Sequence, residues 1–505
     1  MIVGLDAGSV LDGFRTIRDV RSAIAIPYEF LLSPVRTNVS SESLQLPLDL
    51  PEPLAAAVEN PPRLFRPIHY LGSKLRLAPA IADALDDADP TRGTVLDLFA
   101  GSGTTALALA VHRRVIAADI QEYSRVICSA LLTSPQPSAD IVSMFTDRLL
   151  ASTPLVEALR SAVKPLVEFE EEALKAAERG DAEPICSVLE DGSLLAAERG
   201  LGECRSAELR RCLMEVTRRL SVAGLAQAPA ATATRYFGGS YFSYAQAVEL
   251  DCLAALASST FPSGLTDLLT SALLSTASDI VNTVGKQFAQ PIRPRAKDGG
   301  VKRHLLVKIN RDRRIDARTV FLEWLGRYAS YAAPGCGHVA KRMDYRDALT
   351  HFSGQYSVVY ADPPYTRDHY SRFYHVLETL ARRDNPSIAR SPGAAEHELS
   401  RGLYRDDRHQ SPFCIRSKAP NAFRELFSLA SGGGANIVVS YSPFESGAHP
   451  RLMQIDALLG LAREFYRSVE VESVDGVTHS KLNHSRLNFD LPAEAEVLLV
   501  CRFKR

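Results

Sequence analysis

Residues 356–365 read Tyr-Ser-Val-Val-Tyr-Ala-Asp-Pro-Pro-Tyr. The first six are β-branched, aromatic or small, which is typical of a buried strand in a parallel sheet. Two consecutive prolines can neither continue a strand ladder nor enter a helix interior, so the chain must leave the sheet here. The pattern predicts that Asp362 and Tyr365 lie on a stiff turn at the carboxyl end of a strand, where open α/β sheets bind ligands. A plain strand and turn is the alternative that this stretch alone leaves open.

An upstream segment has the pattern of a nucleotide-binding half-sheet. Residues 94–99 predict a strand, 100–105 a glycine turn, 106–111 a helix and 115–118 a second strand that ends at Asp119. Gly101 and Gly103 allow a tight bend and a close approach of a ligand to the backbone, and an acid at a strand tip can accept hydrogen bonds from ribose hydroxyls. The spacing Gly-x-Gly-x-x-Ala also fits a nicotinamide-binding loop, so the loop alone does not identify the cofactor.

A short segment before this unit could also bind an anion. Residues 69–74 read His-Tyr-Leu-Gly-Ser-Lys and precede a predicted helix over 75–85. Such a turn presents backbone N–H groups, the Ser73 hydroxyl and the Lys74 ammonium.

Composition limits the class of protein. The 505 residues carry a net charge of −1, so a nucleic acid would have to meet a local basic patch rather than a global positive field. The eight cysteines form no C-x-x-C pair, and therefore neither a disulfide framework nor a metal site is expected. No window is apolar and long enough to span a bilayer, and we expect a cytoplasmic enzyme with no membrane partner.

The chain divides into four predicted parts. Residues 1–65 are an N-terminal extension or strap, 66–135 and 335–505 are two halves of a catalytic domain, and 136–334 form a mainly helical insert that is a candidate target-recognition domain. In the second half we expect a strand near Val339, a helix over 370–380, a strand over 436–441 and a closing antiparallel pair over 469–474 and 496–502.

The insert carries the most basic stretch. Residues 291–314 contain nine Lys or Arg against two Asp. The stretch includes Pro, Gly-Gly and a short strand-like run over 305–309, which suits a hairpin or loop that reaches towards phosphates. The side chains expected to contact nucleic acid are Arg293, Arg295, Lys302 and Arg303.

The motifs together resemble a known family. Asp97-x-Phe99-x-Gly101-x-Gly103, followed much later by Asp362-Pro363-Pro364-Tyr365, is similar to the adenine-N6 DNA methyltransferases. The Tyr-Leu-Gly-Ser-Lys segment over 70–74 looks like the arm of the Dam-like members, and 440–441 and 484–486 look like late motifs of the group. The resemblance covers roughly 66–130 and 335–505. It implies a Rossmann-like α/β fold, S-adenosylmethionine as cofactor and sequence-specific N6 methylation of double-stranded DNA.

The resemblance also assigns roles. Asp362 and the Pro363 carbonyl would accept hydrogen bonds from the adenine amine, Pro364 would stiffen the turn, and Tyr365 would stack on a flipped base. Lys74 would hold the methionine carboxylate. The full set of expected cofactor residues is Tyr70, Gly72, Ser73, Lys74, Asp97, Phe99, Gly101, Gly103, Asp119 and Asp344, with Asp347 a rival to Asp344 for the cofactor's adenine amine.

Several alternatives stay open. An RNA adenine or a DNA cytosine-N4 methyltransferase could use the same turn. Two interpretations from other classes of protein are a nicotinamide-dependent dehydrogenase and a non-catalytic nucleic-acid-binding module. The family resemblance implies a restriction-modification or phage-defence system, with cognate restriction or defence proteins as partners. Residues 45–50, Gln-Leu-Pro-Leu-Asp-Leu, are similar to the peptide by which bacterial proteins dock on the replication sliding clamp.

Overall fold

The computed structural model of the chain describes residues 66–72, 74–135, 137–150, 153–259, 263–330, 337–365, 367, 369–390, 399–442, 452–473 and 496–503. The predicted strap over 1–65, with its clamp-like segment 45–50, lies outside the described residues. Ser73 and the predicted late motif at 484–486 also lie outside them.

A mixed sheet of seven strands forms the centre of the described fold. Its strands are β1 Val95–Leu98, β2 Val115–Asp119, β3 Val339–Arg342, β4 Val358–Ala361, β5 Asn436–Tyr441, β6 Ser468–Ser473 and β7 Val497–Arg502. Their order is β3-β2-β1-β4-β5-β7-β6. The neighbours from β3 to β5 pair in parallel, and β7 lies antiparallel between β5 and β6. The Rossmann-like α/β prediction and the closing antiparallel pair are thereby confirmed.

Helices cover both faces of this sheet. In chain order they are α1 Ala78–Ala88, α2 Thr104–Ala110, α3 Glu122–Leu132, α4 Ala139–Leu150, α5 Pro154–Glu178, α6 Glu183–Asp191, α7 Leu194–Glu198, α8 Ala207–Val222, α9 Thr232–Phe237, α10 Tyr244–Ser259, α11 Ser263–Ile280, α12 Arg303–Arg313, α13 Ala317–Ala329, α14 Tyr345–His351, α15 Tyr370–Phe373, α16 His375–Arg382, α17 Ala419–Gly432 and α18 Ile455–Phe465.

The strands send alternate side chains into two cores, as a pleated sheet requires. Val95 and Val358 face a core that α1, α2 and α3 contribute to, whereas Leu96 and Val359 face one that α14, α17 and α18 complete. Every residue of β1 and β4 is buried, which explains why both strands are apolar apart from Asp97.

The helices α4 to α13 stand between β2 and β3, so the described part of the insert is mainly helical, as predicted. It packs in two ways. Helices α10, α11 and α13 share the core on the α3 side of the sheet, while α5, α6 and α8 surround a separate core. The second core encloses a buried ion pair between Arg313 and Glu170. The role of the insert as a target-recognition domain stays a prediction.

The structure corrects three local predictions. Residues 305–309 belong to α12 rather than to a strand, because the apolar side chains at 305, 306 and 309 repeat with a helical spacing. The single helix predicted over 370–380 is broken at Tyr374 into α15 and α16. Residues 234–242, Thr-Arg-Tyr-Phe-Gly-Gly-Ser-Tyr-Phe, predict an aromatic-glycine loop before another helix, but the segment begins in α9 and leaves it through a turn closed by a bridge between Gly238 and Phe242.

No helix within the described residues is both long enough and apolar enough to cross a membrane.

Candidate active site

A cleft opens where the parallel strands end. Leu98 of β1 pairs with Ala118 and with Ala361, so β1, β2 and β4 reach the same edge of the sheet. The cleft has an empty volume of about 950 Å³, part of it open to solvent. Its walls include eight residues predicted for the site, namely Tyr70, Phe99, Asp119, Asp344, Asp362, Pro363, Pro364 and Tyr365.

The glycine loop forms the floor behind this cleft. Phe99, Gly101 and Gly103 have φ values of 62°, 55° and 71°, so the loop is built from left-handed conformations that favour glycine. A Cβ at Gly101 would lie 2.5 Å from the Tyr70 hydroxyl oxygen. Gly101 is therefore required both by its backbone conformation and by the close approach of Tyr70.

Tyr70 belongs to an arm that docks on the helices after the Asp-Pro-Pro-Tyr turn. Its ring stacks on Tyr374 with the centroids 4.9 Å apart, and Leu71 N donates to the Tyr374 hydroxyl at 2.6 Å. Gly72 has a φ of 70° and a Cβ there would lie 3.1 Å from the Tyr370 hydroxyl oxygen. The arm thus joins the segment before the glycine loop to the one after the catalytic turn.

Asp119 stands at the tip of β2 with its carboxylate fixed by the chain around it. It accepts from Gly101 N at 2.9 Å and from Gln121 N at 2.8 Å. Burial raises the pKa of Asp119 from its ordinary value, although the two backbone N–H groups oppose this rise. The remaining acceptor capacity of the carboxylate faces the cleft, as the ribose-binding prediction requires.

Asp97 is a buried acid just behind the cleft. The residue is 1% exposed, and its Oδ2 has no hydrogen-bond partner among the described residues. Burial, followed by the neighbouring carboxylates Asp362 and Asp119, raises the pKa of Asp97 well above its ordinary value. A buried oxygen without a partner is costly, and protonation of the acid, which the raised pKa favours, reduces that cost.

The far wall distinguishes the two candidate acids after β3. Asp344 caps α14 by accepting from Arg346 N at 3.0 Å and also lines the cleft. Asp347 is exposed on α14 and is not among the cleft residues. The geometry therefore favours Asp344. Beside it, Phe99, Tyr345 and Phe413 form an aromatic wall with centroids 5.2–5.7 Å apart.

The Asp-Pro-Pro-Tyr turn leaves β4 at the near side of the cleft and is held from behind. Lys74 Nζ lies 3.2 Å from Asp362 Oδ1 and 2.8 Å from Glu496 Oε1. The Tyr365 hydroxyl donates to the same Glu496 oxygen at 3.0 Å. Glu496 is fully buried and also accepts from the Ser440 hydroxyl at 2.9 Å. The Glu496 carboxylate thus contacts Tyr365 directly and is linked to Asp362 through Lys74.

Lys74 differs from its prediction as the ligand of a methionine carboxylate. It is only 5% exposed, lies between two protein carboxylates, and is not part of the cleft wall. Burial opposes its charge, but Asp362 and Glu496 outweigh that effect and raise the pKa of Lys74 well above its ordinary value. Glu496 is not among the predicted site residues, and the only signal for it in the sequence is that a buried lysine needs an acidic partner.

The ring of Tyr365 lines the cleft while its hydroxyl is anchored. It meets Tyr441 edge to face with the centroids 5.1 Å apart, and the Lys74 ammonium lies 5.8 Å from its ring centre. Tyr441 and Ser440 come from the end of β5, where a late motif was expected. Their contacts explain why that strand end belongs to the site.

The basic stretch corrects one predicted nucleic-acid contact. Arg295 is engaged by Glu183 and Glu190 of the insert itself, so its charge is already neutralised. Arg293 and Arg303 are exposed and make no ion pair with a described residue, and Lys302 donates to the Arg293 carbonyl at 3.2 Å. Counting charges along the sequence could not reveal the carboxylates that face them.

Within the described residues, no group of three or more His, Cys, Asp or Glu side chains is arranged to hold a metal ion.

Comparisons with known proteins agree with this geometry. The family model of the D12 class N6 adenine-specific DNA methyltransferases matches residues 70–164 and 328–431, which confirms the predicted resemblance. The modification methylase LlaI of Lactococcus lactis subsp. lactis is 33% identical over 129 residues, which is 26% of this chain and 17% of that protein. The type II methyltransferase M.FokI of Planomicrobium okeanokoites is 33% identical over 109 residues, 21% of this chain and 15% of that protein.

The chain therefore matches less than a fifth of the length of either relative. No solved structure matches it significantly.

Proposed function

We propose, from the match of residues 70–164 and 328–431 to the family model of the D12 class of N6 adenine-specific DNA methyltransferases, that this protein methylates the N6 amine of adenine in double-stranded DNA. The observation that carries the proposal is the Asp-Pro-Pro-Tyr turn. Its acid and its aromatic ring line one cleft and are tied to a single buried carboxylate, Glu496.

The chemistry requires help for a weak nucleophile. The lone pair of an adenine amine is delocalised into the ring, and acceptors aimed at its hydrogens return electron density to nitrogen. Asp362 and the Pro363 carbonyl supply those acceptors. They also stabilise the positive charge that develops on the nitrogen, and the Asp362 carboxylate can accept the proton that the nitrogen loses as the new bond forms.

The residues behind the turn limit its freedom. Lys74 holds Asp362, and Glu496 holds both Lys74 and the Tyr365 hydroxyl, so the acceptor and the stacking ring keep one spacing. Little reorganisation is then needed when the base arrives. We assign Lys74 and Glu496 as positioning residues of this turn.

The cleft residues fit S-adenosylmethionine. When bound, that cofactor supplies a methyl group already activated by a sulfonium. Asp119 fits the ribose hydroxyls and Asp344 with the aromatic wall fits the adenine, whereas the cofactor contact of Asp97, which like Lys74 is buried and outside the cleft wall, stays a prediction. The cluster of carboxylates also favours a cationic ligand.

The DNA substrate and its biological setting rest on the relatives. One relative is named a modification methylase and the other a type II methyltransferase, so we propose a restriction-modification role with a cognate restriction protein as partner. A phage-defence role, the cytoplasmic location and a clamp contact through 45–50 stay predictions. The long insert gives room for protein contacts along a duplex, which is why we expect sequence-specific methylation.

Product analysis tests the proposal directly. Duplex DNA incubated with the protein and labelled S-adenosylmethionine should yield N6-methyladenine in nucleoside mass spectrometry, and the Asp362→Ala variant should yield none. Methylation-sensitive sequencing of the same DNA should return one short recognition sequence. N4-methylcytosine as the sole product, or label confined to RNA, would overturn the substrate.

A further inference from the structure

A group of arginines beside the cleft has no role in the chemistry described above. Arg372 and Arg408 both contact the Tyr404 ring, with their guanidinium carbons 5.5 and 5.1 Å from its centre. Arg372 Nε also donates to the Tyr404 hydroxyl at 3.2 Å. The neighbouring residues Ser371 and His409 line the cleft, and the Ser371 hydroxyl donates a hydrogen bond to the His409 carbonyl at 2.6 Å. Arg372 and Arg408 are therefore adjacent in the chain to residues that line the cleft.

Contacts continue from there to the basic stretch of the insert. The Tyr404 hydroxyl donates to the Ala289 carbonyl, and Arg401 Nη2 donates to the Ile292 carbonyl at 2.8 Å. Arg293 follows Ile292 directly and is exposed. We call Arg293, Arg372, Arg401 and Arg408 the arginine track.

The track differs from two other arginines, Arg382 and Arg405, which are close to it in the chain. Arg405 is paired with Asp384 and Asp407, and Arg382 is paired with the same two acids. The four arginines of the track make no ion pair with a described residue. Two of their nitrogens, Nη1 of Arg401 and Nε of Arg408, also have no hydrogen-bond acceptor within the described ranges.

The arginines of the track lie close enough to affect one another's ionisation. Burial, and then the Arg293 guanidinium, lower the pKa of Arg401 from its ordinary value. Burial lowers the pKa of Arg408 too, and the nearby Arg372 adds to the effect. Like charges held close together destabilise the protein unless an anion joins them, and a polyanion would remove the repulsion.

We infer that the arginine track binds the phosphates of duplex DNA beside the nucleotide that enters the cleft. This inference rests on the proposed function for its choice of polyanion. Guanidinium groups suit phosphate oxygens because they offer several donors in a planar fork. The position at the cleft suits a backbone that must be held while one nucleotide is flipped out of the stack.

The same surface continues onto α12 through Lys302, which donates to the Arg293 carbonyl. One face of α12 carries the exposed Arg303, His304, Val307 and Arg311, and Val307 is 80% exposed. An exposed valine among basic residues on one helical face suits the major groove, where an apolar side chain can contact a thymine methyl. The track would thus hold the backbone while α12 contacts base edges.

The track is tested with a charge-matched pair of variants. Arg372→Gln with Arg408→Gln removes two charges from the track, and Arg211→Gln with Arg218→Gln removes two from the exposed face of α8. Binding of a mixed-sequence duplex is measured by fluorescence anisotropy over a salt series, without a methyl donor. The slope of log K against log salt should fall by about 0.9 for each lost phosphate contact in the track variant only.

Further variants and a cofactor titration serve as controls for this measurement. Arg372→Lys with Arg408→Lys keeps the charge and should restore most of the slope, and S-adenosylmethionine affinity should equal that of the wild type in all variants. An unchanged slope in the glutamine variant, or an equal loss in the α8 control, would overturn the inference. Because no methylation occurs in this assay, a protein that binds in this way but methylates no DNA would refute only the proposed function.

The α12 contact has a separate readout. Arg303→Gln with Val307→Ala should lower the preference for the recognised sequence over one-base variants by about 10-fold. Sequencing of methylated DNA at limiting enzyme measures this preference. Preserved discrimination would restrict the inference to the backbone contacts.

Discussion

The two sides of the cleft hold their acids in different ways. On the cofactor side, Asp119 is fixed by backbone N–H groups only 2 and 18 positions away in the chain. On the base side, Tyr365 is tied to Glu496, 131 positions away, and Asp362 is tied to Lys74 from the arm before the glycine loop. A local motif builds the first side by itself, whereas the second is assembled only when β7 takes its antiparallel place next to β5.

This comparison predicts that the two sides fail differently when they are mutated. Loss of a base-side acid should reduce the rate of methyl transfer, and loss of a cofactor-side acid should reduce the affinity for S-adenosylmethionine.

The largest effect is expected at Asp362. Asp362→Ala removes the principal acceptor of the amine, and kcat should fall by about 10³-fold or more. Calorimetric titration should show nearly unchanged S-adenosylmethionine affinity, because the acid faces the base. Asp362→Asn, which keeps one acceptor oxygen, should lose less activity than the alanine variant. A parallel collapse of cofactor affinity and rate would contradict the division of the cleft.

Glu496 should follow with a loss of about 10²-fold in kcat, which a small misplacement of reacting groups can cause. Glu496→Gln keeps the shape of the side chain but removes the charge that faces Lys74. The KM for DNA and the cofactor affinity should change little, and Ser440→Ala, which removes only one donor to Glu496, should be much milder.

Measuring kcat and KM separately, with thermal melting as a check of folding, decides the role of Glu496. If the loss of activity only follows a loss of folded protein, Glu496 is structural and does not position the turn.

Much of the cofactor side could be predicted from sequence because its determinants are close together. The spacing of Gly101, Gly103 and Asp119 within one strand-loop-helix-strand unit already defines a binding edge. The partnership of Lys74 with Glu496 could not be predicted, since it depends on the topology of the sheet.

The insert shows the same limit in another form. The run at 305–309, which is apolar except for Lys308, fits a strand or a helix equally well until its neighbours are known. The charge of Arg295 looked available for phosphates only because Glu183 and Glu190, more than a hundred positions away, did not enter the count. Local spacing was therefore informative, and long-range pairing was not.

A smaller effect is expected at Asp119. Asp119→Ala should weaken S-adenosylmethionine binding by about 10- to 100-fold, the range of a charged hydrogen bond. The kcat at saturating cofactor should fall much less. Asp119→Asn keeps an acceptor for the glycine loop, so it separates the loss of the ribose contact from a loosening of Gly101. An unchanged cofactor affinity in both variants would remove Asp119 from the binding site.

The smallest effect on activity is expected at Glu378, which links α16 to α3 on the cofactor side. This buried residue of α16 accepts from Tyr123 N of α3 at 3.1 Å, and burial raises its pKa to about 7 from an ordinary 4.5. Its contribution to stability is fully present below pH 4.5 and is lost as the pH rises through 7. Glu378→Gln should therefore melt a few degrees higher than the wild type at pH 8 and at nearly the same temperature at pH 4.5, with unchanged kcat.

The exposed acid Glu157, changed to Gln, serves as the control and should give no such pH-dependent difference. A Glu378→Gln protein that is equally destabilised at both pH values would show that the hydrogen bond to Tyr123, and not the buried charge, dominates at this contact.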